Sequence, residues 1–81
     1  MEIKILGTGC PNCRRLEAIV KDVVRESGVS ADVREVTDIA EIMGHGVMHT
    51  PGLVIDGEVK SVGRIPQKQE IAAWLKRPET A

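Results

Sequence analysis

The sequence predicts an α/β protein with one mixed four-stranded sheet flanked by helices, in the element order β-α-β-α-β-β-α. Two observations support this prediction. The spacing of apolar residues changes along the chain between the period of a strand and the period of a helix. In addition, Asp56-Gly57 separates two strand-like runs, Leu53–Ile55 and Glu58–Val62, as expected for a β-hairpin with a two-residue turn.

The first strand and the first helix follow from these periods. Glu2 to Leu6 alternates polar and apolar residues, which is typical of a strand. From Pro11 to Ser27, apolar residues recur every three or four positions and form one helical stripe: Leu16, Ile19, Val20, Val23 and Val24. Pro11 suits the first helical position, where its missing N–H costs nothing, and Gly28 suits the helix end.

The later elements are shorter. Val29 to Val36 is predicted to be the second strand, and the helix between the two strands makes them parallel. Thr37 is predicted to cap a short helix over Asp38 to Met43. Pro66 is predicted to open the last helix, which carries Trp74.

Composition excludes two classes of function. The net charge is −1 with mixed signs and only one aromatic residue, so we expect no nucleic acid partner. No segment approaches membrane-spanning length and no signal peptide precedes the first strand, which predicts a cytoplasmic protein without membrane contact. The 81 residues fit one domain, predicted over residues 1–77, with a flexible tail over 78–81. Met43 and Met48 are expected to pack in the core or in a loop.

The only two cysteines, Cys10 and Cys13, stand at the start of the predicted first helix. Cys10 would then be the N-cap, where unpaired N–H groups and the helix dipole favour a thiolate. Arg14 and Arg15 are predicted to lower the pKa of Cys10 further, unless they are simply solvated surface residues. Cys13 lies one turn further in, on the buried side. We therefore predict that Cys10 is the nucleophile and Cys13 the resolving thiol.

The cysteine pair alone leaves other functions open. In a cytoplasmic protein such a pair is more often catalytic or metal-binding than structural. A soft-metal carrier for copper, zinc or arsenic is one alternative, and a binding module without turnover is another. His45 and His49 are distant from Cys13 in the chain and form no zinc-finger pattern. We accordingly predict no metal and no cofactor.

Further along the chain, Thr50-Pro51 stands directly before the third strand, where a proline is tolerated in a sheet. Together with Cys10-Pro11-Asn12-Cys13 after the first strand and Val62-Gly63-Arg64 before the last helix, it makes the chain resemble a known family. The chain is similar to the small redox-active disulfide proteins of the thioredoxin/glutaredoxin superfamily, and the resemblance covers nearly its whole length.

The resemblance implies a thioredoxin-like fold and a thiol–disulfide oxidoreductase, acting as a protein disulfide reductase or electron carrier. It implies that Pro51 is cis and lies beside the cysteines, and that Thr50 and Pro51 bind the substrate. The implied partners are disulfide-containing protein substrates and a reductase or a small thiol donor, with the protein acting as a monomer. Thioredoxins usually have tryptophan at the position of Gly9, and Pro11 is typical of glutaredoxins. The electron donor therefore stays open.

Overall fold

The computed structural model describes residues 1–75, and the predicted domain end at 77 and tail over 78–81 lie outside them. The element order is the predicted one. The elements are β1 Glu2–Leu6, α1 Pro11–Ser27, β2 Asp32–Val36, α2 Ile39–Gly44, β3 Gly52–Ile55, β4 Glu58–Val62 and α3 Lys68–Leu75. None of these helices has both the length and the apolar character that crossing a membrane requires.

The four strands form one sheet in the order β2-β1-β3-β4. β1 pairs in parallel with β2, with Ile3 opposite Val33, and antiparallel with β3, with Ile3 opposite Ile55. β3 and β4 form the predicted antiparallel hairpin. Asp56 and Gly57 have φ angles of 50° and 82° at its turn, the positive values that a two-residue turn favours. β1 is therefore an inner strand, and the cysteines follow its carboxyl end.

The long helix α1 has the predicted bounds, and its packing shows why this segment is helical. Its buried side chains follow the apolar stripe at helical spacing: Cys13, Leu16, Val20 and Val23. Gly28 ends the helix in the left-handed conformation with φ 69°, and its N–H donates to the Val24 carbonyl at 3.1 Å. This packing fixes the orientation of α1 and hence of the cysteines in its first turn.

The sheet is covered on both faces, but unequally. We call the side of α1 and α3 the thick face, whose buried residues are Ile3, Ile5, Leu16, Val20, Val23, Leu53, Ile55, Ile71 and Leu75. We call the side of α2 the thin face, whose buried residues are Leu6, Val36, Ile42, Val47 and Val54. Successive residues of β1 and β3 alternate between the two faces, as the pleat of a strand requires. β3 is buried along its whole length for this reason.

Three predicted boundaries are wrong, each for a local reason. β2 begins at Asp32 rather than Val29, because pairing with the N-terminal segment starts there: the Asp32 N–H donates to the Met1 carbonyl at 2.9 Å. The cap of α2 is Asp38 rather than Thr37, and its side chain makes no capping hydrogen bond. α3 begins at Lys68, because Pro66 is buried in the segment before the helix instead of opening it.

Candidate active site

Cys10 is the N-cap of α1, as predicted, and its sulfur is part of the cap. Its backbone is extended, with φ −68° and ψ 161°, and Pro11 follows at the first helical position. The Cys13 backbone N–H donates to the Cys10 Sγ at 3.2 Å, and the Arg14 N–H donates to the Cys10 carbonyl at 3.0 Å. The reactive sulfur thus takes the place that a serine or aspartate oxygen occupies in most helix caps.

Cys10 and Cys13 form a disulfide, with their Cα atoms 5.1 Å apart. This separation lies in the ordinary range for disulfides. The ring that the bond closes is very small, so the bond constrains the unfolded chain little and gives little stability by that route. The two cysteines differ sharply in burial, since Cys13 has no exposed surface whereas Cys10 is partly exposed.

The charges near the cysteines are those of the first helical turn. That turn contains no acidic residue. Arg14 and Arg15 are both exposed, and in the part of the chain that the structure describes neither side chain forms an ion pair. Their predicted effect on Cys10 stays a prediction.

Thr50 lies close to the buried cysteine. A Cβ placed on Gly7 would be 2.9 Å from the Cys13 Cβ and 3.9 Å from the Thr50 Cβ, so both side chains lie next to Gly7. The Thr50–Pro51 peptide bond is cis. Pro51 is buried, and its carbonyl accepts the Gly63 N–H at 2.9 Å, which ties this segment to the end of β4. Thr50 itself is exposed beside the disulfide.

Sequence reasoning missed Gly7. It stands in the run Gly7-Thr8-Gly9, which has the composition of a flexible loop. In the structure Gly7 is buried, and its N–H donates to the Val36 carbonyl at 2.9 Å, so the β1–β2 pairing continues to this residue. No signal in the sequence distinguishes it from Gly9, because the reason for the glycine is the position of Cys13 in space.

An apolar groove of about 200 Å³ begins at the active site and runs along α2. We call it the α2 groove, and its lining residues are Thr8, Ile39, Ile42, Met43, Val47, Met48 and Thr50. Ile39, Met43 and Met48 are 62, 57 and 76% exposed. The prediction of core or loop packing is therefore wrong for Met43, which lies in α2 and is exposed because the short helix covers too little of the thin face, whereas Met48 lies in the loop after α2.

Among residues 1–75, the resolved pKa shifts belong to the exposed pair Arg64 and Glu70, before and within α3. The Glu70 carboxylate accepts two hydrogen bonds from the Arg64 guanidinium, at 3.0 and 3.1 Å, and one from the Gln67 backbone N–H at 3.0 Å. The Arg64 bonds, followed by the Gln67 bond, hold the pKa of Glu70 below its ordinary value. The same carboxylate raises the pKa of Arg64.

A metal site of three or more ligands does not occur within residues 1–75: no cluster of His, Cys, Asp and Glu side chains there has the required size. The two histidines of the sequence thus do not join the cysteines in such a cluster.

Comparison with known proteins agrees with this geometry. The sequence profile of the thioredoxin domain family matches residues 1–76. A thioredoxin of Methanothermobacter thermautotrophicus is 41% identical over 75 residues, which cover 93% of this chain and 97% of the relative. A thioredoxin of Methanocaldococcus jannaschii is 42% identical over 74 residues, which cover 91% of this chain and 85% of the relative.

Proposed function

The chain belongs to the thioredoxin domain family and is a thiol–disulfide oxidoreductase, and on this premise we propose that Cys10 is its nucleophile and Cys13 its resolving thiol. The observation that carries the proposal is the difference in exposure between the two cysteines. Cys10 is partly exposed at the helix N-terminus, whereas Cys13 is fully buried one turn further in. A substrate disulfide therefore reaches Cys10 first.

In the forward reaction, the Cys10 thiolate attacks one sulfur of the substrate disulfide. The substrate S–S bond breaks, a mixed disulfide with Cys10 forms, and the released substrate thiolate takes a proton from water. Cys13 then gives up its proton and attacks the Cys10 Sγ, which releases the second substrate thiol and forms the Cys10–Cys13 disulfide. Two electrons pass from the protein to the substrate, and a reductase or a small thiol returns them.

The cap geometry supports the choice of Cys10 as the attacking group. The helix N-terminus carries partial positive charge, and the Cys13 N–H already points at the Cys10 Sγ at 3.2 Å. Both features stabilise a negative sulfur, which is the form that attacks a disulfide. Arg14 and Arg15 are proposed to add to this stabilisation from the exposed side of the same turn.

Thr50 and Pro51 are proposed to hold the substrate segment that flanks the disulfide. Thr50 is exposed, lies near Cys13 and belongs to the wall of the α2 groove. The groove offers exposed apolar side chains and is linked to the cysteines through Thr50, so a partly unfolded protein segment with apolar residues fits it. Disulfide-containing proteins are the substrate class that this surface supports.

We also propose that the protein acts in the cytoplasm as a monomer and without a cofactor. The pair Cys10 and Cys13 supplies the whole two-electron chemistry, and a pair of this kind in a cytoplasmic protein is typically catalytic. Cell fractionation tests the location, and light scattering of the purified protein at micromolar concentration tests the monomer.

The roles of the two cysteines are tested with Cys10→Ser and Cys13→Ser in an insulin-reduction assay and in trapping of mixed disulfides. The two variants are matched, since each replaces one sulfur by oxygen, and serine at residue 10 keeps a good helix cap. We expect both to lose turnover and Cys13→Ser alone to accumulate mixed disulfides through Cys10. Activity retained by Cys10→Ser, or trapping through Cys13, would contradict the assignment.

The metal-carrier alternative has its own test on the reduced wild-type protein. Anaerobic titration with Cu(I) and Zn²⁺, alongside insulin reduction, separates the two functions. Turnover with weak or absent stoichiometric binding supports the redox role. Tight one-to-one binding without turnover would show that the thiols serve as metal ligands.

A further inference from the structure

Gly7 differs from the other glycines of the loops and turns. Gly9, Gly28 and Gly57 have positive φ angles and open space where a Cβ would stand, so their backbone conformation explains them. Gly7 does not have a positive φ angle, so its conformation does not require glycine. The need for glycine at residue 7 must therefore come from the space around it.

That space is filled by Cys13. A Cβ on Gly7 would overlap the Cys13 Sγ and would lie 2.9 Å from the Cys13 Cβ, a separation that real Cβ atoms essentially never show. The third neighbour, the Thr50 Cβ, is at an ordinary contact distance of 3.9 Å. The sulfur of Cys13 thus packs directly on the backbone of the residue that follows β1.

Gly7 is also unable to move away easily. Its N–H donates to the Val36 carbonyl at 2.9 Å, and the preceding residue, Leu6, pairs with β2 and β3 on either side. An added methyl group would therefore have to be accommodated by Cys13 rather than by the strand.

The dithiol and the disulfide differ in how well they accommodate a methyl group at residue 7. In the disulfide, the Cys13 Sγ is bonded to both its own Cβ and the Cys10 Sγ, and Cys10 is fixed as the helix cap. In the dithiol the bond to the Cys10 Sγ is absent, so rotation of the Cys13 side chain about χ1 relieves the overlap with the sulfur, and only the close approach of the two Cβ atoms remains. A side chain at residue 7 therefore costs more free energy in the oxidised protein than in the reduced one.

We propose that Gly7 is a positioning residue that lowers the free energy of the Cys10–Cys13 disulfide relative to the dithiol, and so sets the reduction potential of the pair. The proposal rests on the dithiol–disulfide exchange described above. In that exchange the protein dithiol and an external disulfide give the protein disulfide and two external thiols, with two electrons and two protons transferred. Gly7 touches neither partner and acts through the Cys13 sulfur alone.

The test is the equilibrium of Gly7→Ala with dithiothreitol buffers of known ratio, read by acid quenching, alkylation and mass spectrometry. We expect the equilibrium constant for forming Cys10–Cys13 to fall at least about tenfold relative to the wild type, a rise in potential of about 30 mV for two electrons. An unchanged constant, or a larger one, in a folded Gly7→Ala protein would overturn the proposal.

Gly52→Ala is the matched control. Gly52 is also buried and pairs with Leu6 at the same end of the sheet, but its Cβ would meet carbon atoms of Val47 and Leu6 at 3.2 and 3.4 Å rather than a sulfur. We expect Gly52→Ala to be less stable than the wild type and to have the same disulfide equilibrium. An equal shift in both variants would show a general loss of packing and would contradict a specific role for Gly7.

A second measurement decides the case if oxidised Gly7→Ala does not fold. Urea unfolding then compares Gly7→Ala with the wild type in the reduced form. Reduced Gly7→Ala should fold and lose much less stability than the oxidised variant, and a reduced Gly7→Ala that is equally unable to fold would refute the proposal. A wild-type pair that never exchanged with the buffer would instead contradict the proposed function, and this unfolding comparison would still decide the role of Gly7.

Discussion

The thick and thin faces of the sheet are built from the same strands, yet they do different work. Within residues 1–75, the core that the sheet forms with α1 and α3 on the thick face has nine buried residues, whereas the core on the thin face has five. The thick face holds α1, and with it Cys13, in a fixed position. The thin face leaves Ile39, Met43 and Met48 exposed in the α2 groove, which Thr50 also lines. One face therefore serves as scaffold, and the other is the surface that we propose for the substrate.

The largest effect should come from matched isoleucine truncations on the two faces. Ile71 in α3 is fully buried on the thick face, and Ile42 in α2 is 4% exposed on the thin face. We expect Ile71→Ala to lower the free energy of unfolding by about 4 kcal/mol and Ile42→Ala by about 2 kcal/mol, since a cavity under the short α2 collapses more readily. Urea denaturation measures both. Equal losses would remove the distinction between the faces.

Amide hydrogen exchange should show the same contrast without substitutions. α2 has six residues with only Ile42 buried, whereas α1 has seventeen with four buried. We expect the amides of α2 to exchange by local opening, with protection roughly a hundredfold below that of central α1 amides, or about 2.7 kcal/mol. Uniform protection across both helices would mean that the thin face opens only with the whole protein.

A charge placed in the α2 groove tests whether the thin face binds the substrate. Met48→Glu should lower kcat/KM for a protein disulfide about tenfold, because it puts a carboxylate where we propose that an apolar segment docks. Turnover of a small aromatic disulfide, which needs no groove, should be unchanged. Val59→Glu is the control, since Val59 is also partly exposed but lies near the hairpin turn at the far end of the sheet. Loss of both activities in Met48→Glu would contradict docking.

The smallest effect concerns the surface pair Arg64 and Glu70 at the start of α3. The pKa of Glu70 is lowered in the folded protein, so its ionised carboxylate stabilises the fold above the ordinary glutamate pKa. This contribution is lost as the pH falls through the lowered pKa. Glu70→Gln should therefore be slightly less stable than the wild type at neutral pH and equal to it in acid.

Thermal unfolding from pH 7 to pH 2 checks this prediction, with Glu58→Gln, at an exposed glutamate of β4, as a comparison. A difference between wild type and Glu70→Gln that grew in acid would have the wrong sign. A large difference at neutral pH would show that the thick face depends on charge as much as on burial.

The sequence was sufficient for the elements whose cause is local. The period of α1, the αL position of Gly28 and the Asp56-Gly57 turn are properties of neighbouring residues, and the structure confirms each of them. Cys10 as helix cap was predictable in the same way, because Pro11 marks the first helical position.

The features that sequence reasoning missed depend on residues distant in the chain. Gly7 has the composition of a loop residue until Cys13 is placed against it. Met43 has the hydrophobicity of a core residue, but the short α2 leaves it exposed. The start of β2 is set by where Met1 and Glu2 lie, which no property of residues 29–31 encodes. In each case the deciding partner belongs to another element.

The inner position of β1 has a consequence for synthesis on the ribosome. β1, the strand that leads to the cysteines, is translated before β3, which is one of its two neighbours in the sheet. Until β3 pairs with β1, the sheet end against which Cys13 packs is incomplete. We therefore expect the difference in exposure between the two thiols to arise only after β3 has emerged.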